Sequence, residues 1–187
     1  MSRIVYLNGK YLDYASSKVH VEDRGYQFAD GVYEVFAVIN KKILDYNDHL
    51  NRLFVSMKAI NIDSPINKKS YYYHIKNIIK KNLIHDGLIY LQVTRGVSPR
   101  DFKFPSNVKS SLVIIGRSFK EGEYEKKFAS GISVKTVPDE RWKRVDIKTI
   151  NLLAPVLAKQ YATDNNCEEA WLVDEKGFVT EGSSSTA

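Results

Sequence analysis

Asp23-Arg-Gly-Tyr-Gln-Phe-Ala-Asp-Gly-Val-Tyr-Glu-Val35 is the stretch on which the reading of the fold turns. Its last residues open a β-rich run, Val32–Ile39. Asn40–Lys42 then leads into Ile43–Tyr46, which predicts a hairpin. Asn47 or Asp48 is placed to cap a helix, and Leu50, Leu53, Phe54, Met57 and Ile60 follow at helical spacing. On the N-terminal side, Ile4–Leu7 and Lys10–Leu12 flank Asn8–Gly9. Asn-Gly between short apolar runs predicts another hairpin, because both central residues of its turn need positive φ.

Further along, Tyr72, Ile75, Ile78, Ile79 and Leu83 share the face of a second predicted helix. Leu88–Thr94 and Leu112–Gly116 read as strands joined by a loop at Gly96–Pro105, and Ile132–Val137 as another strand. A third helix is expected over Leu152–Asp164, with Leu152, Leu153, Val156, Leu157 and Tyr161 facing a core and Pro155 confined to its first turn. Ala170–Val173 and Phe178–Glu181 flank a turn at Asp174–Gly177. Hairpins with helices segregated between them give an α+β layout in two units. Polar Phe119–Phe128 suggests the boundary, which divides the chain into an N-terminal domain over 1–119, a linker over 120–128 and a second domain over 129–187. That second unit has about 60 residues, a marginal size for a self-sufficient core. It closes on Gly182-Ser-Ser-Ser-Thr-Ala187 directly after a strand, so the expectation is truncation.

Composition narrows the function classes. Of 187 residues, 43% are hydrophobic and 27% charged, as in ordinary globular chains. No run approaches the roughly 20 apolar residues of a membrane helix. The opening MSRIVYLNGKYL has a polar turn where a signal peptide needs an apolar core, so a cytoplasmic protein is expected. The net charge is +6, but the pairs Lys41–Lys42, Lys68–Lys69, Lys80–Lys81 and Lys126–Lys127 are scattered among acids. Binding of nucleic acid needs them on one surface, so no such partner is expected. Cys167 stands alone, and the four histidines are dispersed, which argues against a metal site. There is no P-loop and no GxSxG elbow. Three basic residues in odd company remain: Arg52 in the helix after Asp48, Arg100 beside Pro99, and Lys148 after Arg141-Trp-Lys-Arg-Val-Asp-Ile. Each alone reads first as a solvated charge.

Together they resemble something specific. Asp23–Val35 is similar to the opening motif of the fold-type IV pyridoxal-phosphate enzymes, and His49-Leu-Asn-Arg-Leu53 to that family's phosphate-arginine helix. Val93-Thr-Arg-Gly-Val-Ser-Pro-Arg100 resembles the D-amino-acid aminotransferase branch. Asp146-Ile-Lys-Thr-Ile-Asn-Leu-Leu153 resembles the Schiff-base lysine segment, and Val179-Thr-Glu-Gly-Ser-Ser-Ser185 the segment that holds the pyridine nitrogen. The motifs come in the family's order and span nearly the whole chain.

The resemblance implies a two-domain α+β fold, with the N-terminal α/β sandwich complete and the C-terminal barrel-like domain incomplete. It implies pyridoxal 5'-phosphate as cofactor and Lys148 as its covalent anchor and acid–base. An amine is needed because it alone forms a reversible imine with an aldehyde. Arg52 offers the phosphate a planar fork of donors, and Ser183–Ser185, Ser184 among them, offer hydroxyls. Glu181 keeps the ring nitrogen protonated. Tyr33 resembles the tyrosine beside cofactor and substrate, and Arg100 the arginine that traps the substrate carboxylate. Phe102 occupies the position where that branch carries a histidine, which removes one trap donor. Trap residues that reach across subunits imply a homodimer. The expected reaction moves an amino group between a D-amino acid such as D-alanine and a 2-oxo acid. Within the fold, the alternatives are a branched-chain L-aminotransferase and an aminodeoxychorismate lyase. Outside it, they are a non-catalytic remnant or half of a split enzyme, and a basic nucleic-acid module.

Overall fold

The computed structural model describes residues 3–120 and 129–186. Residues 121–128 of the expected linker lie outside them. The chain groups into two units: Met1–Phe119 with Asp146–Ile150, and Lys120–Val145 with Asn151–Ala187. The lysine segment, counted with the second domain on sequence grounds, is thus grouped with the first unit.

The first unit is built on an antiparallel sheet of β1 (Ile4–Leu7), β2 (Lys10–Asp13), β3 (Gly31–Ile39), β4 (Lys42–Ile43), β5 (Gly87–Thr94) and β6 (Ser111–Ser118). Their order is β2-β1-β6-β5-β3-β4. Asn8 and Gly9 have φ of 46° and 92°, the double positive φ predicted for the β1–β2 turn. A short helix, α1 (Arg24–Phe28), precedes β3, and its Asp23 cap accepts a bond from the Gly25 amide. Alternation along β3 buries Val32, Glu34, Phe36 and Val38 and leaves Tyr33, Val35 and Ala37 half-buried. Two helices, α2 (Tyr46–Ala59) and α3 (Lys68–Lys81), supply the opposing apolar faces. Leu50, Leu53 and Met57 of α2 and Tyr71, Ile75 and Ile78 of α3 join Phe36, Ile89, Leu91 and Ile114 in one core. Each such aliphatic side chain, fully buried, contributes on the order of 1.5–3 kcal/mol.

Local departures from expectation have physical causes. β4 stops at Ile43, because Asp45 turns left-handed (φ 46°) and Tyr46 already begins α2. The cap is therefore Asp45 rather than Asn47 or Asp48, and its side chain makes no capping bond. On α3 the buried stripe runs through Tyr71, not Tyr72. Tyr72 sits about 100° round the helix, where it packs edge-on against Tyr46 at 5.1 Å. Leu83 lies past the helix with φ 54° and is exposed, because Asn82 ties the chain end to both backbone polar groups of Ile4.

The second unit has a three-stranded sheet, β7 (Val134–Pro138), β8 (Glu169–Val173) and β9 (Val179–Gly182), in that order. β7 and β8 are parallel, with α4 (Leu153–Asp164) between them in the chain, and β8–β9 is a hairpin with a bulge at Leu172/Val173. Pro155 stands in the first turn of α4, as its missing N–H requires. The face of α4 is not the predicted one. Ala158 and Ala162 pack with Ala170 and Leu172, whereas Leu153, Val156, Leu157 and Tyr161 are half or more exposed. Alanines let the helix approach β8 closely, and that contact, not the larger apolar stripe, sets the rotation of the helix within this unit.

Candidate active site

The Lys148 segment is held as a short extra edge on β3. Beyond Val38 and Ile39 that edge has no β4 partner. Thr149 bridges Val32, the Tyr33 amide donates to the Lys148 carbonyl (3.1 Å), and the Ile150 amide donates to the Gly31 carbonyl (3.1 Å). Gly31 is required by closeness: a Cβ there would lie 2.7 Å from the Val93 carbonyl oxygen and 3.1 Å from Ile150 Cδ1. The Lys148 amide donates to Ser56 Oγ (3.2 Å), a buried hydroxyl on α2. Ile147 and Thr149 are buried, so period-two alternation sends the Lys148 side chain to the side of Tyr33. Its Nζ donates to Tyr33 Oη (3.3 Å) and lies 4.5 Å from the ring centroid. Among the described residues no ion pair to a carboxylate holds this amine. Tyr33 stacks on Tyr90 at 5.7 Å, and burial, helped by the neighbouring Tyr33 phenol, pushes the Tyr90 hydroxyl up to about 12. The amine therefore faces the Tyr33 phenol rather than a carboxylate.

One turn of α2 before Ser56 stands Arg52. Its Nε and Nη2 donate to the two oxygens of Glu34 at 2.6 and 2.8 Å. His49 Nδ1 lies 2.8 Å from Glu34 Oε2. His49, Arg52 and Ser56 lie on one face of the helix, so the same face that orients the arginine also anchors the lysine backbone. Glu34 has no solvent exposure and was not among the expected site residues. The signal was available: in Val32–Ile39 it is the one charge in phase with Val32, Phe36 and Val38.

Arg100 and Phe102 come together elsewhere, around Phe28. The Arg100 guanidinium lies 4.6 Å from the Phe28 ring centroid, and the Phe102 ring 5.4 Å from it. Phe102 is 83% exposed. Among the described residues no hydrogen bond, ion pair or ring contact joins this cluster to Lys148 or Tyr33. Asp30, its side chain 9% exposed, takes Arg24 Nε (2.8 Å) and Arg95 Nε and Nη2 (2.7 and 3.0 Å), and Arg24 Nη1 donates to the loop carbonyl of Asp101. Burial pushes the Asp30 carboxyl up, but the bonds and charges of Arg95 and Arg24 outweigh it and hold the group below its usual range.

The remaining expected residues lie in the second unit. Glu181, half-buried on β9 opposite Leu172, acts electrostatically on Arg141, which is paired with Asp139 at 2.7 Å. The serines turn inward onto Glu169, a buried carboxylate also missed in the sequence. Ser184 Oγ donates to Oε2 (2.6 Å), Ser185 Oγ to the same oxygen (3.0 Å), and Ser183 Oγ to Oε1. The Ala170 amide adds a bond to Oε1 (2.9 Å), and Lys159 Nζ lies 3.3 Å from it. The Ser184 proton is thus committed to Glu169, leaving its oxygen lone pairs to accept. Burial opposes the charge on Glu169, yet the hydroxyls and the amide prevail and bring the group down to about 2 from 4.5. A depressed carboxyl stabilises the fold fully above its unfolded value, and that stabilisation is lost as pH falls toward the folded one. The thermal midpoint of the unmodified chain is expected to fall more steeply between about pH 5 and about pH 2 than that of Glu169→Gln; parallel curves would refute the assignment.

An open cleft of about 800 Å³ lined by Tyr6, Asp63, Ser64, Lys109 and Leu112 contains none of these residues. Among the described residues no cluster of His, Cys, Asp and Glu could hold a metal, and no helix is long and apolar enough to cross a membrane.

The profile of the amino-transferase class IV family matches residues 31–187. The D-alanine aminotransferase of Staphylococcus haemolyticus is 39% identical over 183 residues, which cover 97% of this chain and 64% of that protein. The D-alanine aminotransferase of Bacillus licheniformis is 38% identical over 181 residues, covering 97% and 63%. The chain thus spans a little under two thirds of the length of these curated relatives. Among solved structures, the branched-chain aminotransferase of the thermophilic archaeon Thermoproteus uzoniensis, with norvaline, superposes with a TM-score of 0.82 at 23% identity, over 98% of this chain and 63% of that one. At that identity the likeness speaks to the fold, which is the α+β fold expected from the motifs. With the family profile covering most of its length, the chain belongs to the class IV aminotransferases.

Proposed function

We propose that this protein transfers an amino group between a D-amino acid, D-alanine in the first instance, and a 2-oxo acid, using pyridoxal 5'-phosphate. The observation that carries the reading is the Lys148 amine, fixed on Tyr33 by 3.3 Å and unpaired with any carboxylate among the described residues. The identity of 38–39% to D-alanine aminotransferases along nearly the whole chain supports the substrate class. When bound, the cofactor supplies an aldehyde that captures the amino group and a ring that accepts the electron pair released at the substrate carbon. Lys148 would anchor it, and its amine would hold and move the proton at the substrate α-carbon. The Tyr33 hydroxyl fixes the position of that amine. Arg52 binds the phosphate, with Ser184 contributing its oxygen to the surrounding polar shell. Glu181 holds the proton on the ring nitrogen. Arg100 takes the substrate carboxylate, and Phe102 beside it replaces a polar trap with an apolar one. The active form is a homodimer in the cytoplasm, with small amino and oxo acids as its partners.

With the cofactor added, the chain is expected to form pyruvate and D-glutamate from D-alanine and 2-oxoglutarate, and to do so faster than it converts L-leucine. Turnover confined to L-leucine would replace this reading by the branched-chain one. Pyruvate released from aminodeoxychorismate without an amino acceptor would replace it by the lyase.

A further inference from the structure

Glu34 places its carboxyl at a position with no solvent exposure, on the helix-facing side of β3, in an ion pair with Arg52. A buried carboxylate persists only where its partners offset the loss of water. Here both oxygens are used: Oε1 by Arg52 Nε, Oε2 by Arg52 Nη2 and His49. The His49 ring is itself packed 5.2 Å from Phe36, so the receiving side of the pair is fixed. The Arg52 side chain is different. It is 50% exposed, on a long stem with many rotamers. Its two-point bond to Glu34, beside a 3.1 Å contact between Nη2 and His49 Nδ1, sets both the position and the plane of its guanidinium.

We infer that Glu34 is a positioning residue for phosphate recognition, acting through Arg52; this rests on Arg52 as the phosphate arginine. By occupying the Nε–Nη2 edge it sets the guanidinium in one orientation before the ligand arrives, so less freedom is lost on binding. The opposing consideration is charge, since Glu34 offsets the positive charge of Arg52. Orientation and charge separate in Glu34→Asp, which keeps the charge but withdraws the carboxylate by one methylene.

The test titrates the full chain with pyridoxal 5'-phosphate and with pyridoxal, which lacks the phosphate, following cofactor absorbance. Glu34→Asp is expected to weaken pyridoxal 5'-phosphate roughly tenfold or more, the scale of one charge-assisted bond lost, and to leave pyridoxal unchanged. In an Arg52→Ala background the same change is expected to have no further effect. If the shortened side chain disturbs folding, Glu34→Gln, which keeps the length but breaks the two-point bond, is expected to show the same loss confined to pyridoxal 5'-phosphate. Equal losses for both ligands, a loss that persists without Arg52, or no loss at all overturns the role of Glu34 while the cofactor reading stands. An unmodified chain that takes up neither ligand overturns the cofactor reading, and this inference with it.

Discussion

Lys148→Ala is expected to abolish covalent capture of pyridoxal 5'-phosphate altogether. In the unmodified chain, borohydride should fix the cofactor irreversibly to one peptide, that containing Asp146–Ile150. In the variant neither the visible absorbance of the bound cofactor nor the mass increment should remain. The loss is expected to be complete because attachment needs a nucleophilic amine at that point, and alanine supplies none. The backbone argument makes the variant informative. The segment is held by main-chain bonds to Gly31 and Tyr33 and by the Lys148 amide on Ser56, none of which uses the lysine side chain. Alanine should therefore leave the edge in place, and circular dichroism should be unchanged. If a reducible adduct survives in Lys148→Ala, another amine is the anchor and the proposed function loses its central residue. Tyr33→Phe supplies the graded comparison: it removes the hydroxyl at 3.3 Å but keeps the ring, so capture should persist.

Much of this was legible in the sequence, and what was not follows a pattern. The Asn8–Gly9 turn could be read because its chemistry is local: positive φ at two successive residues admits few sequences. Arg52, Lys148 and Tyr33 are singled out by motifs, and the structure adds that Lys148 and Tyr33 lie side by side. What the residues do to one another could not be read. Ser184, expected as a free hydroxyl, donates to Glu169, which lies fifteen positions away and carries no motif. Glu34 sits inside a quoted motif yet was read as part of a strand, although its phase with Val32, Phe36 and Val38 marks it as a buried charge in need of a partner. The rotation of α4 failed for a different reason. Its apolar residues form two stripes, and periodicity cannot choose between a face of large side chains and a face of alanines when the packing surface is a small sheet.

The same logic of buried charge gives the largest expected effect on stability, at Asp30. Arg24 and Arg95 are among the most buried charges of the first unit, at 3% and 8% side-chain exposure, and both are paired with this carboxylate. Arg95 also donates to the carbonyls of Ile60 and Asn61, at the end of α2, and Arg24 to that of Asp101. Asp30 thus ties the start of β3, the end of α2 and the loop bearing Arg100 to one point. Removing it leaves two cations without a counter-charge, and breaking one partner out of a buried pair costs about 3–5 kcal/mol. Total stability for a domain is about 5–15 kcal/mol, so Asp30→Ala should remove a large fraction of the stability of the first unit. Urea denaturation followed by tyrosine fluorescence and far-ultraviolet circular dichroism reads this, since both tryptophans, Trp142 and Trp171, belong to the second unit. Arg95→Met should also destabilise, but the double variant should be more stable than the sum of the two losses predicts, because the second change removes one of the stranded charges. Strict additivity would mean that the arginines are held by their carbonyl bonds alone. The pH dependence carries the same sign. Since the arginines hold the Asp30 carboxyl below its ordinary value, its contribution is complete above the unfolded carboxylate range and declines as acid protonates the folded group. Asp30→Asn should therefore flatten the acid limb of the stability curve while lowering the plateau at neutral pH, and a variant that keeps the full acid limb would place the titrating charge elsewhere.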